Sequence, residues 1–402
     1  MNVLFLTMGS FESIEEHSIY TDLLRCFRNH GNIVYVINPA EKGDKTCVDF
    51  KENSYIVHVK TGGVKGSSNL IKKGIAQVEI SSIYIRAIQR YFSDVRFDLL
   101  LYSTPPITLV RTIEYVKKRD GVRTYLLLKD IFPQNAVDIG MMSKTGVKGL
   151  LYKHFRKQEK KLYAISDRIG CMSQANVDYV IKHNPEVDPK IVEVCPNSIE
   201  VIDKSVDEET RKKVRTKYGI PLDKKVFVYG GNLGKPQGIP FLIECLKKCQ
   251  NIEVAYFLIV GDGTEYGVLE NYMETEKPKN VKLMKRLPKE DYDTMVGACD
   301  VGLIFLDHRF TIPNFPSRLL SYMQAKIPVL ACTDPNTDIG DVIESGGFGW
   351  WCESDDVGGF KEKISDLSTE SFNGKGDIAF DHLSSNYSAE TSYHIIMQAF
   401  KA

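Results

Sequence analysis

The stretch Val226-Phe227-Val228-Tyr229-Gly230-Gly231-Asn232-Leu233-Gly234-Lys235-Pro236-Gln237-Gly238 runs from an apolar strand into a loop with four glycines and one lysine. Four β-branched or aromatic residues in a row predict a buried strand, and a helix is expected to start near Pro240. Strand, glycine loop and helix in that order make a βα unit of a parallel sheet. Small residues there let backbone N–H groups approach an anion, and Lys235 adds a point charge. No G-K-[ST] closes the loop, so it is not a Walker A motif.

The same alternation extends in both directions. Further strands are expected at 256–260, 281–284, 301–305, 329–331 and 349–351, and an earlier series at 3–7, 33–37, 55–59, 99–102, 124–128 and 168–172. Amphipathic stretches such as 75–91 and 241–249 separate them. Two such series in 402 residues mean an α/β chain of two doubly wound, Rossmann-like domains, each large enough for its own core. The boundary is expected after Asn197, followed by a charged linker and helix over 203–217, and a last amphipathic helix over 389–400. Ligands of such sheets bind at the carboxyl ends of the strands.

Composition narrows the function. The chain has 43% hydrophobic and 26% charged residues, ordinary for a globular protein, and no apolar run long enough to span a bilayer. The first residues lack a basic region and read as a strand rather than a signal peptide. Nine scattered cysteines without C-x-x-C or zinc-type spacing suggest reduced, buried thiols and no metal, in a cytoplasmic chain. The 52 Lys and Arg balance 52 Asp and Glu, but unevenly. Residues 1–200 carry 28 basic against 22 acidic side chains, and the rest carry 24 against 30. A uniform polyanion binder is therefore excluded and nucleic acid is not expected, while an anion site in the second half has to be local.

Several other loops are candidates. Gly9, after the first strand, allows close backbone approach, although G-x-G-x-x-G is absent. Gly261-Asp262-Gly263 follows another strand, with Asp262 either at a ligand or capping a helix. Pro316-Ser317-Arg318 is expected to open a helix through 325, with free N–H groups and a guanidinium fork for a phosphate. Asp130 stands just past strand 124–128, placed to accept hydrogen bonds from sugar hydroxyls or to cap a local turn. Asp291 and Asp293 form a D-x-D string, read here as acids in the first turn of a helix rather than a metal site.

Taken together, Asp130-Ile131-Phe132-Pro133-Gln134, Gly231–Gly238, Gly261-Asp262-Gly263 and Pro316–Met323 resemble the GT-B glycosyltransferases, specifically family 4. The likeness covers nearly the whole chain and is greatest to the bacterial surface-polysaccharide branch that includes N-acetyl-L-fucosamine transferases. The resemblance implies two domains facing a deep cleft. The first (1–197 plus 388–402, with the last helix crossing back) would bind the acceptor, and the second (198–387) a nucleotide diphosphate sugar, UDP-linked. The diphosphate would sit between Gly231, Asn232, Gly234, Lys235 and Gln237 and the start of the Pro316 helix, with Ser317 and Arg318. Lys285 and Arg286 would lie near the nucleobase, and Asn314 and Ser321 in the donor loop. Lys235 and Arg318 would stabilise the leaving diphosphate, and Asp130 would stand against the donor sugar. No cofactor or metal is implied beyond the nucleotide sugar as co-substrate, and retention of configuration is usual. Most members carry Arg where Asn232 stands and Lys where Gln237 stands. The paired glutamates of the family's E-x7-E motif would fall at Pro313 and Ser321.

The acceptor is expected to be a lipid-linked saccharide in capsule or O-antigen type synthesis. Residues 144–162 carry seven basic side chains and one acid, with Leu150, Leu151, Phe155 and Leu162 as an apolar stripe. Such a helix either lies on the inner face of an anionic membrane or packs its stripe on the core. Two other readings of the fold stand beside the transferase: a sugar-nucleotide 2-epimerase, and an inactive sugar-nucleotide binder acting as an assembly partner.

Overall fold

Each apolar run expected as a strand becomes one, in two separate sheets. The computed structural model describes residues 1–40, 46–61, 70–372 and 374–401. The chain divides into two units, Met1–Glu200 with Ala389–Ala402, and Val201–Ser388. The first boundary lies three residues beyond the expected one. Ile199 and Glu200 are still bonded to the first unit, Glu200 N to Asp22 Oδ2 at 2.8 Å and Ile199 O to Ala389 N at 2.9 Å.

The first unit runs β1 (Asn2–Leu6), α1 (Thr21–Asn29), β2 (Ile33–Pro39), β3 (Cys47–Lys51), β4 (Ser54–Val59), α2 (Leu70–Tyr91), β5 (Leu99–Ser103), α3 (Val110–Asp120), β6 (Arg123–Leu128), α4 (Gln134–Asp138), α5 (Gly146–Ile165), β7 (Arg168–Cys171), α6 (Gln174–His183) and β8 (Val192–Val194). Its sheet has the order β3-β4-β2-β1-β5-β6-β7-β8, with β1 at the point where the winding reverses. All pairs are parallel except the β3–β4 hairpin, turned by Glu52 and Asn53 at positive φ. Strand β3 is exposed throughout and carries two charges, so no buried-strand pattern announces it.

The second unit runs α7 (Glu208–Lys217), β9 (Lys225–Asn232), α8 (Ile239–Lys248), β10 (Ala255–Asp262), α9 (Tyr266–Glu276), β11 (Val281–Met284), α10 (Lys289–Gly297), β12 (Val301–Phe305), α11 (Arg318–Gln324), β13 (Val329–Thr333), α12 (Ile339–Ser345), β14 (Gly349–Glu353), α13 (Val357–Thr369) and α14 (Lys375–Asn386). Its sheet is wholly parallel, in the order β11-β10-β9-β12-β13-β14, reversing at β9. Phe227, Phe257, Phe305 and Phe360 anchor a core on one face. Helix α7 is fixed by buried Arg215, which bonds Ala298 O at 2.8 Å and Asp300 at 2.6 Å.

The last helix, α15 (Ala389–Gln398), returns to the first unit and packs on α1. Tyr393 meets Phe27 edge-on at 4.8 Å, and Ile396 is fully buried, which contributes about 2 kcal/mol. Arg168 and Arg123 bond the carbonyls of Ala399 and Phe400 at 3.0 and 2.7 Å. All nine cysteines are free, and only Cys47 is exposed. Among the described residues, no helix is long and apolar enough to cross a membrane.

Candidate functional site

In the second unit, β9 and β10 end side by side, with Gly231 opposite Gly261 and Asn232 opposite Asp262. The glycines are sterically required. A Cβ on Gly230 would overlap the Tyr292 hydroxyl, and one on Gly261 would overlap the Gly231 carbonyl. Gly231 has φ 118° and lies under the Arg318 guanidinium. Beyond it, Leu233 and Asp262 join through an N–H···O bond of 2.9 Å. Asn232 Nδ2 and the Gly234 amide both donate to Gln237 Oε1, at 2.9 and 3.1 Å. Asn232 and Gln237, in positions the resemblance would fill with basic residues, thus brace the loop with each other. Lys235 opens a single 3-10 turn and is exposed, its ammonium without a partner among the described residues.

Arg318 is the most informative side chain. It begins α11, is half-buried, and stacks 4.1 Å from the centre of the Tyr229 ring. Tyr322, one turn on, holds α11 to the sheet by bonding the Val228 and Leu303 carbonyls at 3.1 and 3.0 Å. Among the described residues no carboxylate pairs with Arg318; its surroundings are Tyr229, Tyr292 and Tyr322. A desolvated guanidinium without a counter-ion is costly, and an anion at that position would relieve it.

Beside this loop opens a cavity of about 440 Å³. It gathers the expected Gly231, Asn232, Gly261, Asp262 and Arg286. Leu287, Lys289 and Tyr292 also line it and were not foreseen; for Lys289 and Tyr292 the reason is that the 288–293 segment reads only as a helix start. Lys285 does not line it: its ammonium lies 3.2 Å from the centre of the Tyr266 ring. Consecutive residues leaving β11 point to opposite sides, which separates Lys285 from Arg286. Asp262 does not cap α9; it bonds the Gly263 amide at 2.9 Å, while Gly263 packs where any side chain would meet the Leu233 carbonyl. The D-x-D acids are ion-paired, Asp291 with Lys217 at 3.1 Å, and Asp293 with Lys204 at 2.7 Å and Lys289 at 3.2 Å.

The helix expected at Pro316 starts at Arg318 and has seven residues. Two of its first amides are spent on the turn, Leu319 on Pro316 O and Leu320 on Ser317 O. Those of Ser317 and Arg318 make no backbone bond among the described residues. Asn314 accepts from Thr337 at its carbonyl, and its buried Nδ2 has no acceptor among the described residues. Ser321 is half-buried on α11. At the end of β13, Asp334 was not foreseen. Burial raises its pKa to about 6, and its Oδ2 is buried without a donor among the described residues.

The first unit places Gly9 and Asp130 at its own strand ends. The Gly9 amide bonds Thr7 Oγ1 at 3.0 Å, and a Cβ there would press on the Tyr20 ring. Asp130 is bonded by Asn135 Nδ2 at both oxygens, 2.7 and 2.8 Å. Burial raises its pKa to about 6, against the lowering effect of the Ile131 amide and Asn135. Neighbouring Lys129 bonds Pro196 O at 3.2 Å, and burial pushes its pKa down.

The basic stripe of α5 divides in two. Phe155 and Leu162 are buried, and Arg156 is paired with buried Glu159 at 2.6 Å. Leu150 is 69% exposed, joined by Val147 at 86% and Met141 at 40%. Lys144, Lys148, Lys153 and Lys157 are exposed on the same segment. The sequence reading included Leu150 but passed over Met141 and Val147.

Residues 210–375 match the family described as glycosyl transferases group 1. The chain is a glycosyltransferase-type enzyme. It is 25% identical over 323 residues to the probable glycosyltransferase WbjE of Pseudomonas aeruginosa, covering 80% of this chain and 78% of WbjE. It is 22% identical over 270 residues to the putative colanic acid biosynthesis glycosyl transferase WcaI of Escherichia coli strain K12, covering 66% and 64% of the two chains. The crystal structure of HepE from Anabaena, in complex with UDP and glucose, matches with a TM-score of 0.71 at 14% identity, covering 100% of this chain and 99% of that one. The expected GT-B fold of this glycosyltransferase is thereby confirmed.

Proposed function

We propose that this glycosyltransferase moves a sugar from a UDP-linked donor to a lipid-carrier-linked saccharide in capsule or O-antigen type polysaccharide synthesis. The observation that carries the donor side is Arg318, a half-buried cation without a carboxylate partner beside a glycine-lined cavity. A nucleoside diphosphate has the charge and shape for that place: phosphates at Arg318, Lys235 and the amides of Gly231 and Ser317, and the base toward Arg286 and Leu287. The kinship with WcaI supports the polysaccharide setting, and the UDP bound by HepE supports the nucleotide. The finer placement is in family 4, near the N-acetyl-L-fucosamine transferases, with configuration retained and no metal required for transfer.

Chemically, the transfer needs stabilisation of a departing diphosphate more than it needs a strong base. Arg318 is fixed on Tyr229 before the donor arrives, so it acts without reorganisation. A departing phosphate oxygen takes the acceptor's hydroxyl proton. In the first unit, Asp130 is mostly ionised at neutral pH and receives hydrogen bonds from sugar hydroxyls. Met141, Val147 and Leu150, rimmed by lysines, dock on the anionic membrane face where a lipid-linked acceptor resides.

The decisive experiment incubates the enzyme with UDP-sugars, with and without extracted lipid acceptor. Acceptor-dependent release of UDP is expected. Conversion of donor without UDP release would instead mean an epimerase, whose carboxylate and histidine set is absent from the cavity lining among the described residues. Binding without any turnover would mean an inactive assembly partner.

A further inference from the structure

Helices α1 and α15 lie 360 residues apart in sequence and meet along one line of contact. Each brings two side chains four positions apart to that line: Cys26 and His30 from the end of α1, Glu390 and His394 from the start of α15. Spacing by four puts both members of each pair on one helix face. Cys26 Sγ is 2.6 Å from Glu390 Oε2, and His30 Nε2 is 3.0 Å from Glu390 Oε1. His394 Nε2 is 3.8 Å from the same Oε1. One ligand atom each from Cys26, His30 and Glu390 lies within 4.8 Å of the others.

We propose that these four side chains form a zinc site that fastens α15 to α1. Thiolate, imidazole and carboxylate are the ligand set of zinc, and tetrahedral bonds of about 2.0–2.3 Å need ligand atoms roughly 3.5 Å apart. The three separations measured from Glu390, 2.6 to 3.8 Å, lie about that value; Cys26, His30 and Glu390 already cluster, and His394, near Glu390 alone, would complete the set by rotating toward them. The orientation of His30 is already that of a metal ligand. Its Nδ1 lies 3.0 Å from the Cys26 carbonyl and donates to it, and the ring stacks on Tyr393 at 4.0 Å. That bond directs Nε2 at the Glu390 carboxylate, with room for a cation to take both atoms as ligands. Cys26 is buried, while His30, Glu390 and His394 are accessible enough for an ion to enter. The two other clusters of similar residues fit less well. His17, Asp22 and Glu200 surround the Arg25 guanidinium, and Cys47 and Asp49 lie on the exposed edge strand β3, with only His58 buried behind them on β4. On binding, zinc displaces the Cys26 thiol proton to solvent and gains four protein ligands. The site lies outside the donor cavity, so its consequence is structural: it pins the helix by which the chain re-enters its first unit.

The test uses the full chain, reduced and freed of metal with a chelator, then titrated with zinc and separately with cobalt. One zinc per chain is expected, with a thiolate-to-cobalt charge-transfer band and a higher melting temperature for the zinc form. Cys26→Ser and Glu390→Gln should each weaken zinc binding at least tenfold. Glu390→Gln alters an exposed side chain and keeps the measurement valid if Cys26→Ser fails to fold. Cys47→Ser, at the exposed cysteine, should change nothing. The proposal is overturned if the wild-type chain takes up no zinc, which leaves a hydrogen-bonded network only. It is equally overturned if binding and the cobalt band persist in Cys26→Ser and Glu390→Gln, or vanish in Cys47→Ser.

Discussion

Near the strand ends of the second unit, Gly231 of β9 and Gly261 of β10 stand opposite each other where a side chain on Gly261 would overlap backbone, and among the described residues the neighbouring Arg318 faces tyrosine rings instead of an acid. At those of the first unit, Lys129 and Asp130 directly follow β6, and both are already bonded, Lys129 to backbone carbonyls and Asp130 to Asn135. Two sheets of one design therefore present different chemistry. The second unit leaves a cation and amides for an anion to satisfy. The first holds a carboxylate in place, ready for neutral hydroxyls. The difference fits the proposed roles: a cation without a carboxylate partner among the described residues favours a phosphate, whereas a carboxylate fixed by one amide side chain retains acceptor capacity for hydroxyls.

The sharpest way to break this comparison is Arg318→Ala. Loss of a fixed cation at a leaving diphosphate should lower turnover about 10²- to 10³-fold, with little change in melting temperature, because no ion pair is lost. Steady-state kinetics beside thermal denaturation checks both halves; a large fall in melting temperature with modest kinetic effect would make Arg318 a structural residue. Gly261→Ala probes the tight approach of β10 to the Gly231 loop. Overpacking there should cost about 1–3 kcal/mol and lower the melting temperature by several degrees, with donor affinity falling alongside. In the first unit, the double change Val147→Asp with Leu150→Asp should cut binding to anionic vesicles about tenfold, since two exposed apolar tips become acids, while UDP affinity stays as it was. Co-sedimentation at low salt measures this, and unchanged vesicle binding would remove the membrane role of α5.

The smallest effect concerns Asp130. Its folded pKa of about 6 lies above the ordinary aspartate value of 3.8. Below that ordinary value both states are protonated and Asp130→Asn should match the wild type. As pH rises toward about 6, the unfolded chain releases its proton first, so the wild type loses stability relative to Asp130→Asn, and the gap is constant above. Asp334 follows the same course in both proteins and cancels in the difference. Melting curves from pH 4 to 8 test this, and a gap that narrows with rising pH would contradict the burial of Asp130.

Much of the fold was legible because its strands are short, apolar and separated by amphipathic helices. Strand β3 escaped because an exposed antiparallel edge has no apolar face to announce. The glycine loop was legible because steric need is written in residue type. Other features of the site were not, since they depend on who stands nearby. No local pattern says that Arg318 lacks an acid, that Lys285 turns onto Tyr266, or that Tyr292 covers Gly230. The cluster of Cys26, His30, Glu390 and His394 is the extreme case, because zinc spacing was sought along the chain and the two pairs are joined only by folding.

The proposed donor nucleotide site lies at the strand ends of the second unit. Hydrogen exchange of the full chain with and without UDP tests it most directly. Slowed exchange is expected of the amides in 230–234 and 317–318, with no such change at 8–10 or 129–131, and with the protection lost in Arg318→Ala. Protection confined to the first unit, or none at either glycine loop or helix start under saturating UDP, would contradict it.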